Sequence, residues 1–417
     1  MSDIRALRSE ARRRPARSTP ILVRQLERLL THIQFGEVTI VLPNGDTLHR
    51  QAPNAGPSAK LVIRRWRTVW RLITGGELAF AESFIDGDWW TPNLIAFLEF
   101  GARNETSMQH AISGTAAHRL MWRWQHWRRR NTRGGSRRNI AQHYDLGNAF
   151  YSLWLDRTMN YSSALFSQRD QSIEAAQNAK LDRIVDLLDI RGGERVLEIG
   201  CGWGAVMERL LPRCHVTGIT LSAEQLAFVE QRLGGSESGR FEARLQDYRD
   251  VPEQYDRIVS IEMIEAVGEQ YWPAYFGKLR QALTQGGTVL LQAITIAEDR
   301  FAKYRNQPDF IQRYIFPGGV LPTVDIIRRQ AARAGLELVV HQPFGQSYAR
   351  TLAVWRERFL AAWPEIERLG FDASFKRMWE YYLCYCEVGF RNSAIDVGFY
   401  KLRPVAVRAG AGAGAGA

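Results

Sequence analysis

The residues best placed to do chemistry lie in one short motif, VLEIGCGWG, at positions 196–204. An apolar run typical of a buried strand contains Glu198 near its end and is followed by Gly200, Gly202 and Gly204. Such glycines let the chain turn sharply from a strand into a helix and let a ligand approach the backbone. A carboxylate there would attract the ammonium group of an amino-acid-like cofactor and repel a pyrophosphate. The motif therefore favours S-adenosylmethionine over a dinucleotide, which also uses glycine-rich turns.

Polar residues after the next two predicted strands are candidates for contacts with the rest of the cofactor. In a parallel sheet, ligands bind at the carboxyl ends of the strands. The candidates are Thr220, Leu221 and Gln225 for the ribose, and Gln246 and Asp247 for the adenine. The first group has no carboxylate for the ribose hydroxyls, so the amide of Gln225 would have to replace it. Ser222 beside them is equally typical of a helix N-cap.

These residues belong to a stretch in which strands alternate with helices. Apolar runs predict strands at 195–199, 215–219, 241–245, 257–261 and 288–293. Helical patterns precede the first strand and follow the second. This alternation is typical of an α/β protein with a doubly wound, parallel, Rossmann-like methyltransferase sheet.

The N-terminal part has a different pattern. A strand at 38–42, a Pro-Asn-Gly-Asp turn at 43–46 and a returning strand at 47–50 predict a hairpin, because Asn-Gly favours tight turns. A further strand at 60–63 and several helices complete a smaller α+β unit. We therefore divide the chain into a basic α+β domain at 1–132, a catalytic domain at 133–405 and a disordered Gly/Ala tail at 406–417.

The composition is that of an ordinary soluble protein. Its 417 residues suit two domains, and 45% hydrophobic residues suffice for a sizeable core. No apolar run approaches the roughly 20 residues of a transmembrane helix. The N-terminus lacks the apolar core of a secretory signal. The four cysteines form no CxxC motif, so we expect no metal site, no disulfide framework and a cytoplasmic location.

The net charge of +11 is unevenly distributed. Residues 106–144 contain no Asp or Glu, and the segment 118–138 within them carries eight Arg and three Trp. A second cluster of Arg and Trp lies at 64–71. Arg attracts lipid phosphates and Trp favours the headgroup boundary, which indicates an anionic membrane surface. RNA binding by charge and stacking, or a solvated basic linker with packed tryptophans, would fit the same pattern.

Longer segments resemble one family, the cyclopropane-fatty-acyl-phospholipid synthases and the related mycolic acid cyclopropane synthases. The resemblance is highly specific and covers about residues 140–400 in order. Besides the glycine motif, its segments are HYDLGN at 143–148, MNYSSA at 159–164, SIEMIEAVG at 260–268, YIFPGG at 314–319, YARTL at 348–352 and EVGFR at 387–391. The first 130 residues resemble more loosely the lipid-facing N-terminal domain of the bacterial phospholipid enzymes.

The resemblance implies a class I S-adenosylmethionine-dependent methyltransferase that modifies the double bond of an unsaturated acyl chain. In the family the alkene attacks the sulfonium methyl group. A bound bicarbonate ion then removes a proton, so that a cyclopropane ring closes. By position, Glu265, Tyr348 and the backbone of Ile294 correspond to groups that hold this bicarbonate.

The same resemblance extends the cofactor site. Tyr161 and Ser162 correspond to residues at the amino-acid end of S-adenosylmethionine. Gly200, Leu221 and Gln225 correspond to residues around the rest of it. His143 is a further catalytic candidate, although a histidine in this position could as readily be part of the core.

Three residues depart from the family pattern. The phospholipid enzymes typically have Cys where this chain has Ser163, and His where it has Gln292. The sequence Glu-Ala-Val, with Ala266 in the middle, replaces the commoner Glu-His-Val. Ser163 and Gln292 can still donate hydrogen bonds to bicarbonate, but Gln cannot carry a proton. These departures keep the identity of the product open.

Three functions follow from these observations. The first is a cyclopropane-fatty-acyl-phospholipid synthase, working on unsaturated acyl chains as a peripheral protein at the cytoplasmic face of an anionic phospholipid membrane. The second is a fatty-acyl C-methyltransferase that yields a methylene- or methyl-branched chain. The third, an RNA-binding protein or RNA methyltransferase, is disfavoured by the family segments, so no nucleic acid is expected as a partner. A homodimer is compatible with the sequence.

Overall fold

A computed structural model of the protein describes residues 20–112, 146–235, 240–307 and 309–406. The strands are β1 (Phe35–Val41), β2 (Thr47–Gln51), β3 (Asn54–Ile63), β4 (Trp89–Trp90), β5 (Arg195–Ile199), β6 (His215–Thr220), β7 (Phe241–Leu245), β8 (Tyr255–Ile261), β9 (Leu283–Ile296), β10 (Leu336–Pro343) and β11 (Ile395–Pro404). The α-helices are α1 (Pro20–Leu30), α2 (Arg67–Ile85), α3 (Leu94–Ile112), α4 (Asn148–Ser152), α5 (Ile173–Leu187), α6 (Ala205–Leu210), α7 (Ala223–Leu233), α8 (Trp272–Gln281), α9 (Glu298–Tyr304), α10 (Val324–Arg333), α11 (Gly345–Ala361), α12 (Trp363–Arg368) and α13 (Ala373–Arg391). The chain forms two compact units, and the boundary predicted at 132/133 lies outside the described residues.

The first unit contains a four-stranded sheet in the order β2-β1-β3-β4. β1 and β2 form the predicted antiparallel hairpin, in which Val41 pairs with Thr47. Alternate residues of β1 are buried, because successive side chains of a strand point to opposite faces of the sheet. The strand predicted at 60–63 is the end of a longer β3, which runs parallel to β1.

Residues 363–392 also belong to the first unit, although the sequence-based division placed them in the catalytic domain. In α13, Tyr381 packs against Phe84 with ring centroids 5.7 Å apart. Nε of Arg377 donates to the carbonyl of Ile85 at 2.7 Å. These contacts join residues far apart in the chain, so no local sequence pattern reveals them.

Three arginines of the cluster at 64–71 are bound to acids of the same unit. The buried carboxylate of Asp88 accepts hydrogen bonds from Arg65 at 3.1 Å and from Nη2 of Arg67 at 2.8 Å. Asp86 pairs with Arg71 at 2.7 Å. The arginines therefore fasten the start of α2 to the turn before β4, and only part of their charge is available to an external anion. The other basic segment, 118–138, lies outside the described residues.

The second unit contains the predicted Rossmann-like sheet, in the order β10-β11-β9-β8-β5-β6-β7. The five strands from β9 to β7 are parallel and include every strand predicted for this domain. β10 and β11 extend the sheet as antiparallel strands, so the sheet is mixed rather than wholly parallel. The α/β prediction is confirmed. α7 begins where the sequence predicts a cap, since Ser222 accepts a backbone hydrogen bond at its start, and Ser172 caps α5 in the same way.

No helix in the described part of the chain combines the length and the apolar character needed to cross a bilayer. The longest, α2, α3 and α13, each have 19 residues. Charged side chains interrupt all three of them.

Candidate active site

The glycine motif forms a tight turn between β5 and α6. Gly200, Gly202 and Gly204 have φ angles of +80°, +52° and +84°, a region that other residues rarely adopt. The N–H of Gly200 donates to the carbonyl of Ile219 at 2.9 Å, which fixes the turn against the end of β6. The backbone conformation of this turn thus explains why glycine is present at all three positions.

Glu198, the acid of the motif, is buried inside the sheet. Its side chain is 2% exposed, and Oε2 has no hydrogen-bond partner among the described residues. Loss of solvent raises the pKa of this carboxyl well above its usual range, while the N–H of Met207 and the charge of Lys180 oppose the rise. A buried carboxylate oxygen without a partner is costly. Glu198 therefore fits the cationic amino-acid part of S-adenosylmethionine.

The candidates for the ribose lie together at the end of β6. Oγ1 of Thr220 donates to Oε1 of Gln225 at 2.8 Å, and both residues are buried. Leu221 follows directly in the turn. Oγ of Ser222 accepts a hydrogen bond from the N–H of Gln225 at 3.2 Å, so Ser222 is the N-cap of α7, as its sequence position predicts. The Thr220–Gln225 hydrogen bond orients the amide at the strand end where a ribose would bind.

The candidates for the adenine already have partners. Both carboxylate oxygens of Asp247 accept from Arg249, at 2.8 and 2.6 Å. Nε2 of Gln246 donates to the carbonyl of Asp250 at 3.0 Å. The two residues lie after β7 as predicted, but neither carboxylate oxygen of Asp247 is left without a donor.

Tyr161 and Ser162 lie in an extended segment between α4 and α5. The ring of Tyr161 packs among Tyr151, Trp154 and Trp355, with centroids 5.3 to 5.6 Å away. Oγ of Ser162 accepts a hydrogen bond from Nζ of Lys180 at 2.7 Å. Packing and hydrogen bonding thus fix the segment that leads into Ser163.

Lys180 is a charged residue in the buried interior that the sequence analysis does not single out. It is completely buried in α5, and its Nζ also donates to Oδ1 of Asn160 at 3.1 Å. Burial lowers the pKa of Lys180 to about 8, although the negative charges of Glu262, Asp156 and Glu198 oppose this change. Lys180 therefore places a titratable cation near the acids of the site.

The catalytic candidates converge on Glu262, the residue after β8. Oε1 of Glu262 accepts from the backbone N–H of Ser163 at 2.9 Å and from Nε2 of Gln292 at 2.6 Å. Oε2 accepts from the hydroxyl of Tyr348 at 2.7 Å. Three donors from three separate parts of the chain thus surround one carboxylate. We call Ser163, Gln292 and Tyr348 the anion cradle.

Glu265 lies one turn further along, in the short 3-10 helix Ile264–Ala266. The N–H of Ile294 donates to its Oε1, and its Oε2 is buried with no partner among the described residues. Burial and the nearby charge of Glu262 raise the pKa of Glu265 to about 8. At neutral pH Glu265 is therefore a protonated acid.

The two carboxyl groups differ in charge because their surroundings differ. Burial raises the pKa of Glu262, while the hydrogen bonds from Ser163, Tyr348 and Gln292 and the charge of Lys180 lower it. Hydrogen bonds to a carboxylate stabilise its ionised form. Glu262 therefore ionises first, and its charge keeps Glu265 protonated.

The backbone of Glu262 is strained. Its φ angle is +49°, in the left-handed region that residues other than Gly, Asn and Asp rarely adopt. Its N–H donates to the carbonyl of Gln292 at 2.7 Å, which holds the turn in this conformation. Strained residues persist where the surrounding structure fixes them and are concentrated at functional sites.

Comparison with known proteins places this site in a family. The family model described as "Mycolic acid cyclopropane synthetase" matches residues 131–399. The chain belongs to this family. It is a methyltransferase of the family, and its cofactor is S-adenosylmethionine.

Three members show the extent of the similarity. "Tuberculostearic acid methyltransferase UfaA1" of Mycobacterium tuberculosis is 39% identical over 92% of this chain and 90% of its own length. "Cyclopropane-fatty-acyl-phospholipid synthase" of Escherichia coli K12 is 37% identical over 78% of this chain and 83% of its own. The crystal structure of mycolic acid cyclopropane synthase CmaA1 complexed with SAH and CTAB superposes with a TM-score of 0.60, at 32% identity, over 64% of this chain and 97% of that one.

Bicarbonate, which the family resemblance implies, does not fit the anion cradle. Ser163, Gln292 and Tyr348 all donate to Glu262, and Ile294 donates to Glu265. The donors that the resemblance assigns to bicarbonate therefore bind the protein's own carboxyl groups. A further anion would displace the carboxylate of Glu262 or lie beside it unpaired, and a buried unpaired charge is unfavourable.

The structure brings Ser163, Gln292 and Tyr348 together and adds two residues to the site. His143 lies outside the described residues. Glu262 and Lys180 were missed, although each had a signal. Glu262 is an acid at the carboxyl end of a parallel strand, where ligands bind. Lys180 lies at helical spacing on the buried face of α5, in line with Ile173, Gln177 and Ile184.

Proposed function

We propose that the enzyme transfers the methyl group of S-adenosylmethionine to a double-bond carbon of an unsaturated phospholipid acyl chain and releases a methylene-branched chain. The observation that carries the proposal is the carboxylate of Glu262, on which all three donors of the anion cradle converge. Methylation of an amine or hydroxyl needs only the removal of an N–H or O–H proton. Methylation of an alkene leaves a carbocation that must lose a C–H proton, so it needs an anion in a site protected from water.

The resident residues support this chemistry in distinct ways. Glu198 would bind the cofactor's ammonium group, and Thr220 and Gln225 would bind its ribose. When bound, S-adenosylmethionine supplies an electrophilic methyl group. Glu265, as the neutral member of the pair, leaves the negative charge on Glu262.

The methylene product is favoured over a saturated methyl branch by electron balance. Loss of a proton from the cation leaves a new C=C bond, whereas a saturated branch requires a hydride donor. The relative that covers 92% of this chain is named a methyltransferase, not a cyclopropane synthase. A methylene group forms when a hydride shifts between the two former alkene carbons before the methyl carbon loses its proton.

A cyclopropane product is the second candidate. The matching family model and the Escherichia coli relative both carry that activity in their names. Ring closure uses the same transfer and the same proton loss without the hydride shift. The two products are isomers, each one CH2 heavier than the substrate lipid.

Lipid analysis of a bacterial host that makes unsaturated phospholipids but has no cyclopropane synthase tests the proposal. We expect expression to yield phospholipids one CH2 heavier by mass spectrometry, with exocyclic methylene protons by NMR. Cyclopropane proton signals in the NMR spectrum would instead support the second candidate, the cyclopropane product. No heavier lipid from an expressed, folded enzyme would contradict both. A strain expressing the Glu198→Gln variant is the matched control.

We further propose that the basic segment at 118–138 holds the enzyme on the anionic inner face of the membrane. Each Arg near such a surface contributes about 1 kcal/mol. Replacing Arg128, Arg129 and Arg130 by Gln should reduce sedimentation with vesicles of anionic phospholipid and leave cofactor affinity unchanged. Gln in place of the exposed Arg328, Arg329 and Arg333 of α10 removes the same charge as a control. Equal sedimentation of all three proteins would contradict the proposal.

A further inference from the structure

The anion cradle is occupied by a side chain of the enzyme itself. All three of its donors contact Glu262, at 2.6 to 2.9 Å, and they reach both carboxylate oxygens. The family resemblance assigns the same three positions to bicarbonate. The disagreement concerns the one group that must accept a proton during the reaction.

We propose that Glu262 is the catalytic base of this enzyme and that its carboxylate replaces the bicarbonate ion. The inference rests on the proposed function, because a base is needed only if a carbocation forms.

The proposed step balances in atoms and charge. Transfer of the methyl group leaves a cation on the acyl chain. Oε2 of the Glu262 carboxylate accepts a proton from the transferred methyl carbon. The electron pair of that C–H bond becomes the new C=C bond after a hydride shift, or the third ring bond without one. Glu262 is left as a neutral acid and returns its proton to water after the product leaves.

The surroundings of Glu262 suit an acceptor of this kind. Oε2 keeps a lone pair for the proton, because it accepts one hydrogen bond, whereas Oε1 accepts two. Burial raises the pKa of Glu262 above that of a surface Glu, which makes it a stronger base. The groups that act on its charge are Lys180 on α5 and Glu265 on the following turn.

The positive φ angle explains how the side chain reaches the cradle. β8 ends at Ile261, and the left-handed conformation of Glu262 turns the chain at once toward the 3-10 helix Ile264–Ala266. Gly adopts this conformation without strain, so Glu262→Gly should remove the carboxylate and leave the turn intact. A small anion could then enter the space left in the cradle.

This geometry supplies a rescue experiment with two contrasting variants. Glu262→Gly empties the cradle, whereas Glu262→Gln keeps it filled with a group that cannot accept the proton. We expect both variants to lose about 10²–10⁴-fold in kcat on vesicles of unsaturated phospholipid. Added bicarbonate or formate should restore activity to Glu262→Gly but not to Glu262→Gln. The wild type in degassed, bicarbonate-free buffer should be fully active.

A control variant separates the backbone effect from the loss of the carboxylate. Ser393 is exposed and has a φ angle of +55°. Ser393→Gly relieves a similar strain elsewhere in the same unit, and we expect it to leave kcat unchanged.

Anion binding gives a readout that does not depend on turnover. Carbon-13 NMR with labelled formate should show saturable binding to Glu262→Gly and none to the wild type or to Glu262→Gln. Formate binding without any lipid product from the wild type would refute the proposed function, and with it the role of Glu262 as base, while supporting the cradle. An active wild type that needs bicarbonate, or a Glu262→Gly variant as fast as the wild type, would refute the role of Glu262 and leave the proposed function standing.

Discussion

The hydroxyl of Tyr348, in the first turn of α11, donates a hydrogen bond to Oε2 of Glu262 at 2.7 Å. This hydrogen bond links the start of a helix to the end of β8, although the two residues are distant in sequence. This contact lowers the pKa of Glu262 against the effect of burial. Tyr348 is thus a residue that tunes the charge of the anion cradle.

Replacing Tyr348 by Phe should shift the acid limb of the kcat–pH profile to higher pH. The ring keeps its edge contact with Trp355, whose centroid lies 6.0 Å away, but the carboxylate of Glu262 loses a donor and its pKa rises. At a pH on that limb we expect kcat to fall by about 10²-fold, the lower end for general-base effects. Tyr271→Phe is the control. An unshifted limb in a folded variant would show that the hydroxyl does not act on the base.

Replacing Glu198 by Gln should weaken S-adenosylmethionine binding by roughly 10- to 100-fold, as expected for a lost hydrogen bond to a charged group. The variant keeps the shape of the side chain and removes the carboxyl group, which can ionise when the ammonium group binds. Calorimetry on the folded variant measures the change. Glu208→Gln, in an exposed ion pair with Arg232, should retain wild-type affinity. Unchanged affinity of Glu198→Gln would mean that the cofactor's ammonium group has another partner.

Replacing Glu265 by Gln should stabilise the protein increasingly as pH rises. The pKa of Glu265 is raised from 4.5 to about 8 in the folded state, so the folded protein binds its proton more tightly than the unfolded chain does. That contribution is complete below about pH 4.5 and is lost as pH approaches 8, whereas Gln remains neutral throughout.

Denaturant unfolding of the wild type and the variant at about pH 5.5 and 7.5 measures this effect. The advantage of Glu265→Gln in free energy of unfolding should grow by about 1–3 kcal/mol between the two values. A difference that stays constant with pH would show that Glu265 is ionised in the folded protein.

Replacing Lys180 by Met should affect both acids of the site. The positive charge lowers the pKa values of Glu198 and Glu262, and Met fills a similar volume without it. We therefore expect several-fold weaker cofactor binding together with a shift of the acid limb to higher pH. Lys180→Arg retains the charge and should move the limb less. If the Met variant loses stability but keeps the acid limb of the wild-type kcat–pH profile, the role of Lys180 is only structural.

Much of the fold could be predicted because its signals are local. The glycines of the motif, the cap of α7 and the Asn-Gly turn each act within a few residues. The antiparallel strands β10 and β11 could not, since their pairing depends on partners more than 50 residues away in sequence. The membership of α13 in the first unit could not be predicted for the same reason.

The candidate site was predictable in its residue types but not in its hydrogen bonding. Ser163, Gln292 and Tyr348 were identified as donors for an anion, and the structure brings them to one carboxylate. That the carboxylate is Glu262 depends on a backbone angle of +49°, which no spacing of apolar or charged residues encodes. Sequence alone directed attention to Glu265, three residues further on.

The return of α13 to the first unit sets the order in which the chain can be assembled during synthesis. α1 to α3 leave the ribosome about 250 residues before the segment that completes their unit, since they end at Ile112 and that segment starts at Trp363. At roughly 5–20 residues per second, the delay is on the order of ten seconds to a minute. Meanwhile the surface around Phe84 lacks Tyr381 and is open to chaperones. A nascent chain truncated before residue 363 would therefore display an apolar face that the complete protein covers.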